Sequence, residues 1–517
     1  MQGHQVFWGD LHKHLTGPGA PVEAVGDRVA AATETLDFCA VYCYPFEHHT
    51  QGSGLLVEST GHRPAFDDWW TEIQHQSRAH HTPHEFVTFP AYEWHGDRRR
   101  WGDHHVLYRQ EGGPLSAAPS LAALYDEVRD EPAYVIPHHT AYRVGERGRD
   151  WSVYDPELSP VMEMYSTHGS SEGVDSPVPM AFNESMGPRT GGGTFRDALA
   201  AGHRVGVVAS NDGAGVPGAW NRGLAAVWAP ELTREAIWEA IAARRTYGVT
   251  GDRIELWWEL DGTPMGGTVP AGTRTATISV DCPRPLDRVE LLGQDRVVDV
   301  YAHSPTWERH DTIDGRYRQL IECGWGPTRD YGDFADVVVP WTGTLGIEHG
   351  TLRSVMPRLI GTGQSYGLAD GELRFALETS RDEPSAALPE SVARNATQGF
   401  VVEYDANPDT QLTMTVEERE SMTFAVADTV GGGQVRAYRA EGMQRIEDAF
   451  GVPERELANM DRRYHVSPKV KIHRPFPVRA CRADVTVDVS IARGEAVYVR
   501  VAQTDGQYAW SSPIWAQ

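Results

Sequence analysis

Apolar and polar positions along roughly the first 250 residues fall into short alternating blocks. Seven apolar runs have the length and the β-branched or aromatic content of buried strands: Gln5 to Gly9, Asp37 to Val41, Glu85 to Pro90, His105 to Tyr108, Ala133 to Ile136, Val161 to Tyr165 and Arg204 to Ala209. Between them, Val25 to Thr35, Phe66 to His80, Leu121 to Arg129 and Thr194 to Ala201 carry apolar residues at helical spacing. Thr233 to Arg245 adds a helix with Thr233 as its N-cap and Glu235 in its first turn. Strands alternating with helices are the signature of βα units, and seven of them fit an α/β fold built as a distorted (β/α)7 barrel.

Beyond about Gly251 the period changes to two, as in Thr275-Ala276-Thr277-Ile278-Ser279-Val280 and Ala496-Val497-Tyr498-Val499-Arg500-Val501, with Gly and Pro between the runs. Two domains are therefore expected. Residues 1–255 form the barrel with the chemistry, and residues 256–517 form a β-rich, sandwich-like unit whose closing Trp510-Ser511-Ser512-Pro513-Ile514-Trp515 reads as a strand docking back on the barrel. A chain of 517 residues is long enough to bury more than one core.

Charge narrows the partners. A net charge of −25 repels phosphate backbones and anionic lipid, which argues against nucleic acid and membrane surfaces and for a small-molecule substrate; a homo-oligomer is left open. The five cysteines are odd in number, scattered and without zinc-ribbon spacing, and the amino terminus shows no signal-peptide pattern, so a cytoplasmic setting is expected.

Histidine locates the chemistry: seventeen of the 22 lie between His4 and His203. The polar clusters follow the strand ends, where barrel catalytic groups stand. His12 and His14 follow the first strand, Glu93 and His95 the third, His138 and His139 the fifth, Glu163 and His168 the sixth, and Asp212 the seventh. Two histidines two apart at a strand end face the same side and can share one ion. Glu93, at the end of a buried run, is costly to bury unless it bridges metals. Of His104 and His105, adjacent on a strand, one only should reach the interior, and which one is open. His138 is favoured over its neighbour, which would touch substrate.

One divalent ion would then take His12, His14, Glu93 and Asp212, and a second Glu93, His104 or His105, and His138. Such N and O donors suit Mn, Zn or Fe, and two such ions would acidify a water and polarise the scissile group. Lys13, the only lysine before Lys469, sits between the two histidines and points away from them, so a carbamylated lysine bridge is excluded.

These residues resemble the PHP (polymerase and histidinol phosphatase) metallohydrolases, in the branch that joins a PHP-like barrel to a β-rich tail. The resemblance spans nearly the whole chain. It rests on Gly9-Asp10-Leu11-His12-Lys13-His14, Tyr92-Glu93-Trp94, Ile136-Pro137-His138, the stretch Glu163 to Glu172, Leu232 through Arg253 and the terminal Trp-Ser-Ser-Pro-Ile-Trp. It implies a distorted seven-stranded barrel with up to three metals, often acting on phosphoesters. Where the family's second strand ends in Asp-His this chain has Cys43-Tyr44, and where the last ends in Asp-x-His it has Asp212-Gly213-Ala214, so a two-metal centre is expected. The alternative is that His48, His49 or His168 refills the third position.

Glu93, His168 and Asp212 are the catalytic candidates, with Glu163 beside His168 as a proton shuttle or a support behind the metals. Arg98, Arg143, His139 and Tyr44 are the substrate-binding candidates, and Arg99, Arg100, Arg147 and Arg149 share the same loops. Trp94, Trp101 and Trp151 are candidates for an apolar wall. The expected function is hydrolysis of a small anionic substrate such as a phosphoester. Carboxylic esters, amides or lactones, or metabolite binding without catalysis on a decayed barrel, are the alternatives.

Overall fold

A computed structural model of the chain describes residues 3–15, 22–45, 47–50, 56–59, 64–181, 186–213, 216–220, 222–308, 312–324, 339–360, 363–379, 397–451 and 467–517. The fold is mixed α/β, rich in strands and sparing in helices, and it divides into two compact units. The first comprises Met1–Cys282, Leu286–His303 and Ala483–Gln517, and the second Pro283–Pro285 and Ser304–Arg482.

In the first unit the elements follow the hydrophobic pattern closely: β1 (Gln5–Asp10), α1 (Ala24–Ala32), β2 (Phe38–Cys43), α2 (Pro64–Ala79), β3 (Val87–Trp94), β4 (Asp103–Tyr108), α3 (Leu121–Val128), β5 (Ala133–His138), β6 (Val161–Ser166), α4 (Phe195–Ala200), β7 (Gly206–Ala209), β8 (Leu224–Ala229), α5 (Arg234–Ala242) and β9 (Thr246–Val249). Local chemistry sets the helix starts. Ser120, Thr194 and Thr233 each accept a backbone N–H of their helix's first turn, and Asp197 completes a capping box with Thr194.

The strand directions depart from an all-parallel expectation. β1, β2 and β3 run parallel, but β4 is antiparallel to both β3 and β5, and β8 is antiparallel to β1. β6 and β7 pair in parallel in a separate sheet with Gly169–Ser170, with β6 packed beside β5 and β7 beside β8 and β9. Alternate residues of these strands share one interior. Phe38, Ala40 and Tyr42, Val87, Phe89 and Ala91, Leu107, Tyr134 and Ile136, Val161, Val208, Ala225 and Val227 form one buried cluster with Ile237, Trp238 and Ile241 of α5. Trp238 stacks on Tyr134 with ring centroids 3.9 Å apart. The same parity sends Glu93, His105, His138 and Glu163 inward, away from the end that α5 plugs.

The expected division after residue 255 differs from the observed one. Glu255–Leu260 pairs with Gly272–Asp281, and Tyr508–Ser511 adds to β9 while pairing with Ala496–Gln503, so the last strands complete the first unit. Ser512 explains part of the terminal motif: its hydroxyl accepts the Val207 N–H at 2.8 Å and meets Thr246 Oγ1 at 3.1 Å. The second unit has a six-stranded and a five-stranded antiparallel sheet. Tyr317, Ile321, Phe400 and Val402 of one pack with Trp341, Leu345, Phe375 and Leu412 of the other, the core of a sandwich.

Candidate metal centre

The centre starts from Asp10, the buried end of β1. One carboxylate oxygen accepts the N–H groups of His12 (3.2 Å) and Asn211 (3.1 Å), and the other that of Gly218 (3.2 Å). This ties the turn after β1 to the turn after β7. Asp212 N–H then donates to the His12 carbonyl (2.7 Å) and His14 N–H to the Gly213 carbonyl (2.9 Å), while Asp212 itself holds a left-handed φ of 52°. Lys13 turns away and gives its ammonium to Asn211 Oδ1 at 2.6 Å.

Two carboxylates span the centre. On one side, His14 Nε2 lies 2.9 Å from Glu93 Oε2 and 3.9 Å from Asp212 Oδ1, and His12 Nε2 lies 3.6 Å and 3.4 Å from the same two oxygens. Ligands about 2.1 Å from a common ion stand about 3.0–3.4 Å apart; His12, His14 and Glu93 gather closely enough to share one ion, while Asp212 joins His12 in a separate group with His138 and Glu163. On the other side, Glu93 Oε1 faces His95 and His138 (3.5 Å), and Asp212 Oδ2 faces His138 (3.7 Å) and His168 (3.4 Å). Asp212 therefore shares the spanning role that the sequence suggested for Glu93 alone.

Behind the donors stand orienting groups. His12 Nδ1 meets Glu163 at 2.9 Å, which aims Nε2 at the carboxylates, a common arrangement for a ligating histidine. Glu163 thus stands behind His12 through Oε2, and it also belongs to the group of close donors with His12, His138 and Asp212. Tyr42 donates to Glu93 at 3.4 Å, and Tyr44 packs against His14 and His95 with ring centroids 4.9 and 4.8 Å apart.

The electrostatics favour a cation. Every ion pair made by Glu93, Glu163 and Asp212 among the described residues is with an imidazole, never with lysine or arginine. Three buried carboxylates without a fixed positive partner are expensive. Burial opposes ionisation of Glu93 and Asp212, but His95, His12 and His14 around the first, and His12, His168 and His138 around the second, hold both well below the usual carboxylate range. Burial, with His139 and His12 nearby, pushes His138 down to about 3, and burial holds His168 down at about 4. Ionised carboxylates with neutral imidazoles are the state that metal ligation requires. His12 goes the other way, with Asp212 and Glu163 outweighing burial and raising it well above the ordinary value, so a proton sits where a cation would otherwise compensate the charge. His12 Nε2, both nitrogens of His138 and Glu163 Oε1 are buried without a hydrogen-bond partner, which is the mark of donors that fit a metal.

Several expected residues fall elsewhere. His105 points inward, its ring 5.0 Å from that of His12 and stacked near His138, while His104 points outward to Trp94 and Arg149. Neither belongs to the groups of donor atoms close enough to hold an ion together. Arg143 is exposed and pairs with Glu146 at 3.0 Å, away from the centre. Arg98 is buried, but its guanidinium is spent on Asp103, as is that of Arg147; Arg99 and Arg100 are exposed, and buried Arg149 is held by the Trp101 and Val153 carbonyls. Trp94, Trp101 and Trp151 are core residues rather than a wall. The side chains of His48 and His49 lie outside the described residues.

Asp103 was missed as a member of the site, and His95, placed at the end of the third strand, was given no role there. Because β4 runs antiparallel, its amino-terminal residue stands at the rim, opposite His138 in the ladder. The available signal was the acid immediately before His104-His105.

A family model described as a protein of unknown function (DUF3604) matches residues 208–258, a stretch that includes Asp212, β8, α5 and β9. The chain is 29% identical over 224 residues to an uncharacterised protein of Chlamydia pneumoniae, covering 40% of this chain and 35% of that protein. It is 28% identical over 278 residues to an uncharacterised protein of Chlamydia muridarum, covering 50% and 42%. The chain thus spans less than half the length of these curated relatives. Among solved structures it is similar to a two-domain protein containing a predicted PHP-like metal-dependent phosphoesterase from Bacteroides vulgatus, at a TM-score of 0.31 and 11% identity, covering 82% of this chain and 96% of that one. No helix among the described residues is long and apolar enough to cross a membrane, and all five cysteines are buried thiols.

Proposed function

We propose that this chain is a metal-dependent hydrolase with two divalent ions, Mn, Zn or Fe, acting on a small anionic substrate, a phosphoester first. The observation that carries the reading is the set of Glu93, Glu163 and Asp212, buried together with imidazoles as their only ion-pair partners among the described residues. His12, His14 and Glu93 would hold one ion, and His138, Glu163 and Asp212 the other. Ions so held would supply Lewis-acid polarisation of the scissile group and acidify a water. The chain's own contribution is orientation: Glu163 fixes the His12 tautomer, Asp10 locks the two turns, and the packed interior beneath excludes water. Arg98 and Arg147, anchored on Asp103 within the same cluster, place positive charge beside the Glu93 and His95 edge and favour an anion there. The shared interior of β1–β8 supports a distorted barrel, and the buried thiols suit a reducing cytoplasm.

Metal analysis of the purified protein after Mn or Zn loading, with activity screened on matched phosphomonoester, phosphodiester, ester, amide and lactone panels, tests this reading. Two tightly held equivalents, lost in Glu93→Gln, together with phosphoester turnover are expected. Protein that holds no metal overturns the proposal, and turnover confined to carbonyl substrates overturns the choice of phosphoester.

A further inference from the structure

Arg98 and Arg147 are engaged by Asp103, Arg143 by Glu146, and His139 lies with Nε2 3.1 Å from an Asp103 oxygen. Arg222, on the loop between β7 and β8, is placed differently. The next residue fixes its backbone. Gly223 has a left-handed φ of 102°, and a Cβ there would collide with the Ser210 carbonyl oxygen and crowd that of Tyr165 at 3.1 Å, so glycine lets the chain lie directly on the ends of β6 and β7. From there the Arg222 side chain reaches the turn that carries Asp212. A Cβ built on Gly213 would stand 3.7 Å from Arg222 Nη1 and 3.4 Å from Asn211 Oδ1, with no other atom outside its chain neighbours within 4 Å. The space over Gly213 is an open cradle walled by a guanidinium, one residue from a candidate metal donor.

Arg222 is half-buried, yet among the described residues its guanidinium makes no ion pair and no hydrogen bond. Asp212 pairs with imidazoles alone, and Lys13, the other cation at this turn, is offset by buried Asp10 and donates to Asn211 Oδ1. An ammonium can only donate, so that bond fixes the Asn211 amide and leaves Nδ2, buried and without a hydrogen-bond partner, as a further N–H donor. Tyr165, half-buried at the end of β6, has a hydroxyl with no hydrogen bond among the described residues, and the charge of Arg222 reaches it, working against the upward pull of burial on its pKa. A partly dehydrated guanidinium without a counter-charge is costly, and a bound anion would offset that cost.

We infer that Arg222, with the Tyr165 hydroxyl beside it, is a specificity-determining anion subsite that grips a phosphoryl oxygen of the substrate not held by the ions. This rests on the reading of the cluster as a metal centre acting on an anionic substrate. A phosphoryl group carries enough oxygens to meet the ions and a guanidinium fork at once, whereas a carboxylate has only two to divide between them.

The test is isothermal calorimetry of inorganic phosphate and of acetate binding to the full-length protein, loaded with Zn and freed of excess metal, with Zn content measured on the same samples. The wild type is expected to bind phosphate, and acetate at least about tenfold more weakly. Arg222→Met is expected to weaken phosphate binding by roughly 10–100-fold, the effect of losing a charge-assisted hydrogen bond, with Zn content unchanged. Arg222→Lys keeps the charge without the fork and should fall between the two. Tyr165→Phe should weaken phosphate by about 3–10-fold. Far-ultraviolet circular dichroism checks the fold of each variant. Phosphate affinity that is unchanged in Arg222→Met, lost there only together with Zn, or absent from Zn-loaded wild type overturns the subsite while the two-ion reading stands. Acetate bound as tightly as phosphate overturns the choice of a phosphoryl group. A wild type that holds no Zn overturns the two-ion reading itself.

Discussion

Replacing Arg500 by methionine isolates what the last strands do for the site. Glu172, fully buried just after the His168 turn, accepts two hydrogen bonds from Arg500 Nη1, at 2.9 and 2.8 Å, and one from Tyr498 at 2.8 Å. Arg500 Nε also donates to Glu290 at 2.7 Å. Removing one partner of a buried pair costs about 3–5 kcal/mol, because the other charge is stranded. Arg196, 3.5 Å from Glu172, still offsets part of that charge, which points to the low end, about 3 kcal/mol. With an unfolding entropy of about 2.1 cal/mol/K per residue, a unit of some 300 residues loses roughly 5 °C in Tm. Differential scanning calorimetry reads the shift. If the stranded carboxylate is the cause, the double variant Arg500→Met with Glu172→Gln recovers at least half of the loss. A shift under 2 °C in the single variant, or a double variant no better than the single, refutes the reasoning.

Other outcomes follow from the same geometry. Burial lowers the Lys469 ammonium from 10.5 to about 8. The unfolded chain therefore binds the extra proton between those values, and folding stability attributable to this group rises as pH increases from about 8 to 10.5. The gain in stability on going from pH 7 to pH 10 should be smaller in Lys469→Met than in the wild type, and equal pH profiles in urea denaturation would contradict this. Arg143→Ala removes only an exposed pair with Glu146 and should change stability by less than about 0.5 kcal/mol. Arg147→Ala strands Asp103 against one remaining guanidinium and should cost about 3 kcal/mol or more, so similar urea midpoints for the two variants would show that the Asp103 network contributes nothing.

The positions and kinds of the first-unit elements were legible because each is a local property. The run Val161-Met162-Glu163-Met164-Tyr165 is a strand whatever it pairs with, and Thr233 caps a helix through atoms three residues away. His12, His14, Glu93, His138 and Asp212 were legible for the same reason: each ends an apolar strand, and strand ends collect at a rim.

Direction and register were not legible. The sequence of β4 reads the same whether it runs up or down, and only pairing with β3 and β5 reverses it. That reversal puts Asp103 rather than Tyr108 at the rim, and the register turns His105 into the interior and sends His104 out to Arg149. The second unit's limits were hidden likewise, since the alternation of Ala496–Gln503 fits any sheet edge and its place beside Leu286–Leu292 is decided by contacts more than 200 residues away in the chain. The amino-acid order thus determined which residues can ligate and which can cap or pack. The tertiary structure alone decided which nitrogen faces which carboxylate, because hydrogen-bonded pairing between distant strands sets that choice and leaves no mark in the local pattern.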